Sequence, residues 1–98
     1  MNIRYTRPAL ADLESILDYV AEQSPQGSYL LRDRIKRAMT LIASYPLIGR
    51  LTDETAIRRQ IVPSTPYLVF YEIEGADVII HAVRHGARDP GTMPGRSV

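Results

Sequence analysis

The residues best equipped for chemistry gather near the end of the chain, in the stretch Val83-Arg84-His85-Gly86-Ala87-Arg88-Asp89-Pro90, with Arg58 and Arg59 upstream. A phosphodiester site needs cations for its oxygens, a group that moves a proton near neutral pH, and often a ring on which a base can stack. Arg58, Arg59, Arg84 and Arg88 offer the first, His85 the second and Tyr67 the third. Pairing the two apolar runs that flank Gly75 places Tyr67 across from Arg84 at one sheet end. The guanidinium fork matches a protein carboxylate as well as a phosphate. Arg58, Arg59, Tyr67, Arg84, His85 and Arg88 therefore also read as a surface for binding a target.

A ribonuclease that cleaves through the 2′-hydroxyl needs a base, an acid and a cation in one place. Arg59, Arg84 and His85 are the catalytic candidates, and they cover part of that set. A plainer reading has Arg84 and Arg88 pair with Asp89, Asp53 or Glu54 and tie down the tail. His81, mid-strand and facing Phe70, reads as a half-buried packing residue, and Asp89-Pro90 as a turn.

Composition narrows the classes. The 98 residues suffice for one domain, and the net charge of +1 does not suit a nucleic-acid coat protein. Eleven of the twelve basic residues are Arg, Lys36 being the exception, a bias that codon usage explains as readily as function does. With no Cys and two His, no metal site is expected. No cofactor is expected either, for no Walker loop, dinucleotide fingerprint, HExxH or nucleophile elbow occurs. There is no apolar run of about 18 residues and no secretory leader pattern, so the expected location is the cytoplasm, away from membranes.

The elements that must position these residues follow from local signals. Asn2–Tyr5 reads as a strand. Thr6-Arg7-Pro8 starts a helix over 8–23, with Leu10, Leu13, Leu17 and Val20 as its apolar stripe and Ile16 beside it. Ser24-Pro25 repeats the start signal for a helix over 25–44 that buries Leu31, Ile35, Ala38, Met39, Ile42 and Tyr45, and Pro46 and Gly49 stop it. With almost no connection between them, the helices form an antiparallel hairpin. Residues 51–56 read as a loop, 57–62, 67–74 and 77–85 as strands, and 91–98 as a flexible tail.

Gly75-Ala76 fits a type II′ turn joining the last two strands, which pairs Glu74 with Asp77, Tyr71 with Ile80 and Phe70 with His81. Two helices between the first and second strands return the chain to the same end, which implies opposite directions for those strands. The expected fold is α+β: an N-terminal strand, then a helical hairpin packed on one face of a mainly antiparallel four-stranded sheet, in the order β-α-α-β-β-β.

Alternation puts Tyr67, Val69, Tyr71, Ile73, Val78, Ile80 and Ala82 on one sheet face, and Leu68, Phe70, Ile79 and Val83 with Glu72 and His81 on the other. Both faces are apolar, whereas the hairpin covers one. The second face is expected to meet a partner, and exposed strand edges add a further docking mode.

An ordered set of segments carries a resemblance: ALADLESILDYVAEQSP at the start, YPLIGR after the hairpin, IRRQIVPSTPYLVFYEIEGADVIIHAV, and the ending RHGARDP. Over residues 3 to about 90 the chain resembles the RelE/ParE superfamily of toxins from type II toxin–antitoxin modules, the ParE (plasmid stabilisation) branch most closely. The resemblance implies a single RelE/ParE-like domain over 1–90 and a cognate antitoxin whose C-terminal segment wraps hairpin and sheet. Leu31, Ile35, Val69 and Tyr71 are the antitoxin-binding candidates.

It also implies one of two targets. ParE-like members are associated with poisoning DNA gyrase, and RelE-like members cut mRNA on the ribosome. Where ribonuclease relatives place an Arg at the start of the third strand, this chain has Tyr67, and the RelE lysines have no counterpart. The expectation is a binding toxin in a hetero-oligomeric complex with its antitoxin. The alternatives are a ribosome-dependent endoribonuclease and a non-toxic antitoxin-binding corepressor.

Overall fold

Two Ser/Thr–Pro starts build the helical hairpin. In the computed structural model, which describes residues 1–86, the Thr6 hydroxyl accepts from the Ala9 N–H at 3.2 Å and opens α1 (Arg7–Gln23). Pro8 lies in the first turn, where its missing N–H forfeits nothing. Ser24 serves both helices. Its N–H donates to the Val20 carbonyl at 2.8 Å, and its hydroxyl accepts from the Gly27 N–H at 2.9 Å to open α2 (Pro25–Ser44). The Ser28 hydroxyl then donates to the Leu17 carbonyl at 2.9 Å, fastening the second helix onto the first.

The strands are β1 (Asn2–Tyr5), β2 (Arg50–Leu51), β3 (Arg58–Ile61), β4 (Tyr67–Glu74) and β5 (Asp77–His85), ordered β1-β5-β4-β3-β2 in one sheet. The architecture is the expected α+β, with one strand more. That strand, β2, lies at the start of the stretch read as a loop and pairs antiparallel with β3. It reverses the chain once more, so the direction expected for β1 is corrected: β1 lies parallel to β5 and runs the same way as β3.

The β4–β5 turn is as expected, with φ +61° at Gly75 and no left-handed residue at Ala76. The register holds from Glu74 opposite Asp77 to Tyr71 opposite Ile80, then shifts. Phe70 faces Ala82, leaving His81 as the extra residue of a bulge, and Tyr67 faces His85 rather than Arg84. One added residue exchanges the faces of everything beyond it. Val83 joins the hairpin side, and Ala82 joins Phe70 and Ile57 on the other.

The main core lies between hairpin and sheet. Leu31, Ile35, Ala38, Met39 and Ile42 of α2 meet Val62, Val69, Tyr71, Val78, Ile80 and Val83. On α1 the inward stripe is Ala9, Leu13, Ile16, Leu17 and Val20, while Leu10 points out at 52% exposure. Tyr45, expected in the core, is 65% exposed because the chain leaves the helix at that residue. The second sheet face is less open than its sequence suggests. Ile57, Phe70 and Ala82 are buried there as a small cluster against Leu68. Exposed apolar surface lies instead at Tyr45, Leu47, Ile48 and Leu51 after α2, and at Tyr19, Tyr29 and Leu30 on the hairpin.

Strain is concentrated in two loops. Ala56 and Ser64 both adopt positive φ, 65° and 64°. Pro63-Ser64 occupies the centre of the β3–β4 turn, closed by the Thr65 N–H on the Val62 carbonyl at 3.1 Å, a type II arrangement that favours Gly at the second central position. Ser64→Gly is expected to raise stability by about 0.5–1 kcal/mol, the left-handed cost relieved less the added freedom of the unfolded chain. The check is a higher denaturation midpoint at unchanged slope.

Candidate functional site

Beyond Ile80 the strand β5 has no neighbour on its outer side, because the chain departs from β1 into α1 at Thr6. The start of α1 takes over the unpaired edge. The Thr6 hydroxyl donates to the His81 carbonyl at 3.3 Å, and Asp12 Oδ2 accepts the Val83 N–H at 3.1 Å. The same carboxylate oxygen lies 3.7 Å from Arg84 Nε.

Between this edge and α1 opens a cleft of about 660 Å³. Asp12, Ser15, Ile16 and Tyr19 of α1 form one wall, and Tyr67, Val83, Arg84 and His85 form the other. The rings of Tyr67 and His85 meet edge to face, centroids 5.4 Å apart at 83°. Cation, imidazole and two phenols thus share a concave surface with one carboxylate. The cleft can hold a polar or anionic group, although Asp12 offsets part of the Arg84 charge.

Three of the sequence-predicted residues, Tyr67, Arg84 and His85, come together here. Arg58 does not join them. Its Nη1 donates to the Gly49 carbonyl at 2.7 Å and the Leu47 carbonyl at 3.4 Å, which makes it a brace for the α2–β2 connection. Arg59 lies in the Phe70 row of the sheet, two strands from Arg84 and directly across from Arg50. These two border a separate depression of about 310 Å³ with Gln60, Ile61, Leu68 and Gly86. Arg88, the Asp89-Pro90 turn and the 91–98 tail lie outside the described residues.

His81 is half-buried as expected, but its Nε2 meets Glu72 Oε1 at 2.7 Å, a polar pairing between β4 and the bulged β5. Among the described residues no group of three or more His, Cys, Asp or Glu is placed to hold a metal. Nor, among the described residues, is any helix long and apolar enough to cross a membrane.

The four antitoxin-binding candidates need correction. Leu31, Ile35, Val69 and Tyr71 are all buried between hairpin and sheet, so a partner docking on the folded molecule does not reach them. Tyr71 has an internal task. Its hydroxyl donates to the Pro46 carbonyl at 2.8 Å and accepts the Gly49 N–H at 2.9 Å, pinning the YPLIGR segment to the sheet. Burial raises its ionisation above the ordinary tyrosine value, opposed in part by the Gly49 N–H and Arg58.

Sequence reasoning missed Asp12, Ser15 and Tyr19. The available signal was the i, i+4, i+7 spacing of Asp12, Ile16 and Tyr19, which sets an acid and a phenol beside an inward apolar residue. Asp12→Ala is expected to cost about 1–3 kcal/mol, the penalty for stranding the half-buried Val83 N–H. Asp12→Asn, which keeps an oxygen acceptor, should cost less. Denaturant titration of the two variants distinguishes them.

Residues 3–90 match the family model for the ParE toxin of the type II toxin–antitoxin system parDE. This chain belongs to the ParE toxin family. It is 39% identical to Toxin RelE2 of Caulobacter vibrioides over 86% of this chain and 93% of that protein. The fold of this ParE-family toxin is shared with a chain of the chromosomal ParDE system from P. aeruginosa, at 22% identity and a TM-score of 0.75, over 87% of this chain and 95% of that one. It is shared also with a chain of the E. coli RelBE toxin–antitoxin complex, at 16% identity and a TM-score of 0.59, over 84% and 92% respectively. Membership of the RelE/ParE superfamily places the toxin in the type II class. Both structural likenesses lie below 25% identity and speak for the fold alone.

Proposed function

We propose that this ParE-family toxin acts in the cytoplasm by binding a protein, DNA gyrase, rather than by cutting RNA, and that a cognate antitoxin holds it inactive within a plasmid-stabilisation module. The observation that carries this reading is the separation of the ribonuclease candidates. Arg84 and His85 line the cleft beside α1, where the Arg84 guanidinium is drawn toward Asp12, whereas Arg59, two strands away, borders a separate depression with Arg50. A cation that cannot reach the scissile phosphate contributes nothing to its transition state. The α1 cleft, edged by Tyr19, Tyr67 and Arg84, has the aromatic and Arg content that anchors protein interfaces. The antitoxin partner is supported by the family and by the complexes in which its structural neighbours occur.

Purified protein should block gyrase supercoiling, and substitution of the exposed Tyr19 or of Arg84 by Ala should weaken the block while the fold is retained. Absence of inhibition at large molar excess removes the gyrase reading. Growth arrest on induction, relieved by co-expressing the neighbouring gene, tests the antitoxin; induction without effect on growth favours a non-toxic corepressor.

One observation favours the ribonuclease reading. Arg50 and Arg59 are like charges directly opposed across β2 and β3, a destabilising pair, and neither has an acidic partner among the described residues. An RNA phosphate between them would relieve that repulsion. Ribosome-dependent cleavage lost on Arg59→Ala, and separately in the Arg84→Ala, His85→Ala double variant, would establish that activity.

A further inference from the structure

The two helices of the hairpin turn oppositely charged rows outward. Along α1, Ala11, Glu14, Asp18 and Glu22 form an exposed row opposite the inward Leu13, Ile16 and Val20. Along α2, Tyr29, Asp33, Lys36, Arg37 and Thr40 form the exposed row opposite the buried Leu31, Ile35, Ala38 and Ile42. Arg32 and Arg34, also exposed, flank that second row.

These charges are not matched within the molecule. Asp33 pairs with Arg37 at 3.1 Å inside α2, and Asp12 is turned toward β5. Among the described residues Glu14, Asp18 and Glu22 meet no base, and Arg32, Arg34 and Lys36 meet no acid, although the helices lie side by side. Tyr29 stands in the basic row at 76% exposure, a residue type that anchors interfaces.

Symmetry selects the partner. Two hairpins meeting face to face about a two-fold axis have two orientations. An axis across the helices lays α1 on its own mate, acid upon acid. An axis along the helices lays α1 of each copy antiparallel on α2 of the other, so each acidic row meets a basic one. The Ser28 hydroxyl on the Leu17 carbonyl fixes the level of the two helices. Three residues on from each, Glu14 is level with Leu31, which brings Glu14 of one copy beside Arg32 of the other, twice. A helix of 20 residues is about 30 Å long and about 10 Å wide, so the hairpin offers a projected footprint of about 600 Å². Side-chain relief brings that near the about 800 Å² per partner of a standard interface.

We propose that the free toxin pairs with a second copy of itself through the outward face of the hairpin, α1 of each on α2 of the other, with Tyr29 and the two Glu14–Arg32 contacts at the centre. The contact requires neither gyrase nor antitoxin.

Sedimentation equilibrium of the full chain alone tests it. The chain should dimerise at micromolar concentration, with a dissociation constant that rises about tenfold as salt goes from about 0.05 M to about 0.5 M. Glu14→Lys and Arg32→Glu should each weaken the dimer about tenfold, although they move the net charge in opposite directions. The double variant should return to within about threefold of the parent, because the pair is reversed rather than broken. Tyr29→Ala should weaken the dimer about tenfold with the denaturation midpoint unchanged. A chain that stays monomeric at about 1 mM in low salt overturns the proposal. So does a dimer that these substitutions leave untouched, which would place the contact on another face.

Discussion

Gly49→Ala should destabilise the protein by about 3 kcal/mol, the upper end of the cost of overpacking a tight site. A methyl group there would lie 2.5 Å from the Tyr71 hydroxyl oxygen and 2.8 and 2.9 Å from ring atoms Cε1 and Cζ. The ring is fully buried and has no room to retreat. Moving it would also give up its bonds to the Pro46 carbonyl and the Gly49 N–H. The glycine is thus required by close approach of a side chain and not by its backbone angles.

Tyr71→Phe is the informative companion. It strands the Gly49 N–H and the Pro46 carbonyl, at about 1–3 kcal/mol for each group left dry. In the double variant the worst contact disappears with the hydroxyl while the ring contacts persist, so the two costs should sum to more than the double variant shows. Strict additivity in denaturant titrations would mean that the close contact is absent. Tyr71 also sets an alkaline limit. Its ionisation is raised by burial, so the unfolded chain loses this proton first, near 10.0, and stability should fall as pH rises through that region.

Phe70→Ala should cost about 3–5 kcal/mol, the usual range for deleting a buried ring. The prediction is pointed because Phe70 lies on the sheet face away from the hairpin, where sequence patterning suggests water or a partner. It is instead fully buried, with Ile57 and Ala82 as its cluster. A loss below about 1 kcal/mol, typical of surface changes, would mean that this face is open after all. The large loss would show a second, smaller core that the isolated chain closes for itself. Partners then dock on edges and clefts more than on a bare sheet face.

The two helices were legible because their signals are local. Thr6 with Pro8 and Ser24 with Pro25 sit within a few residues of the groups they cap, and the α2 stripe from Leu31 to Ile42 repeats at helical spacing. Gly75 announced its turn for the same reason, and Tyr67, Arg84 and His85 were found because hairpin pairing carries a short-range register outward from that turn. The bulge at His81 was not legible. It exists because β5 must meet β4 on one side and the start of α1 on the other, a compromise that no window of neighbouring residues contains. The two-residue strand β2, the parallel β1–β5 pair and the service of Asp12 to Val83, 71 positions away, share that origin. Hydrophobic period, caps and turn chemistry are properties of a few consecutive residues, and these the amino-acid order alone determined. Strand neighbours, face assignments past the bulge and the division of Arg59 from Arg84 and His85 depend on contacts between distant segments, and only the packed chain decided them.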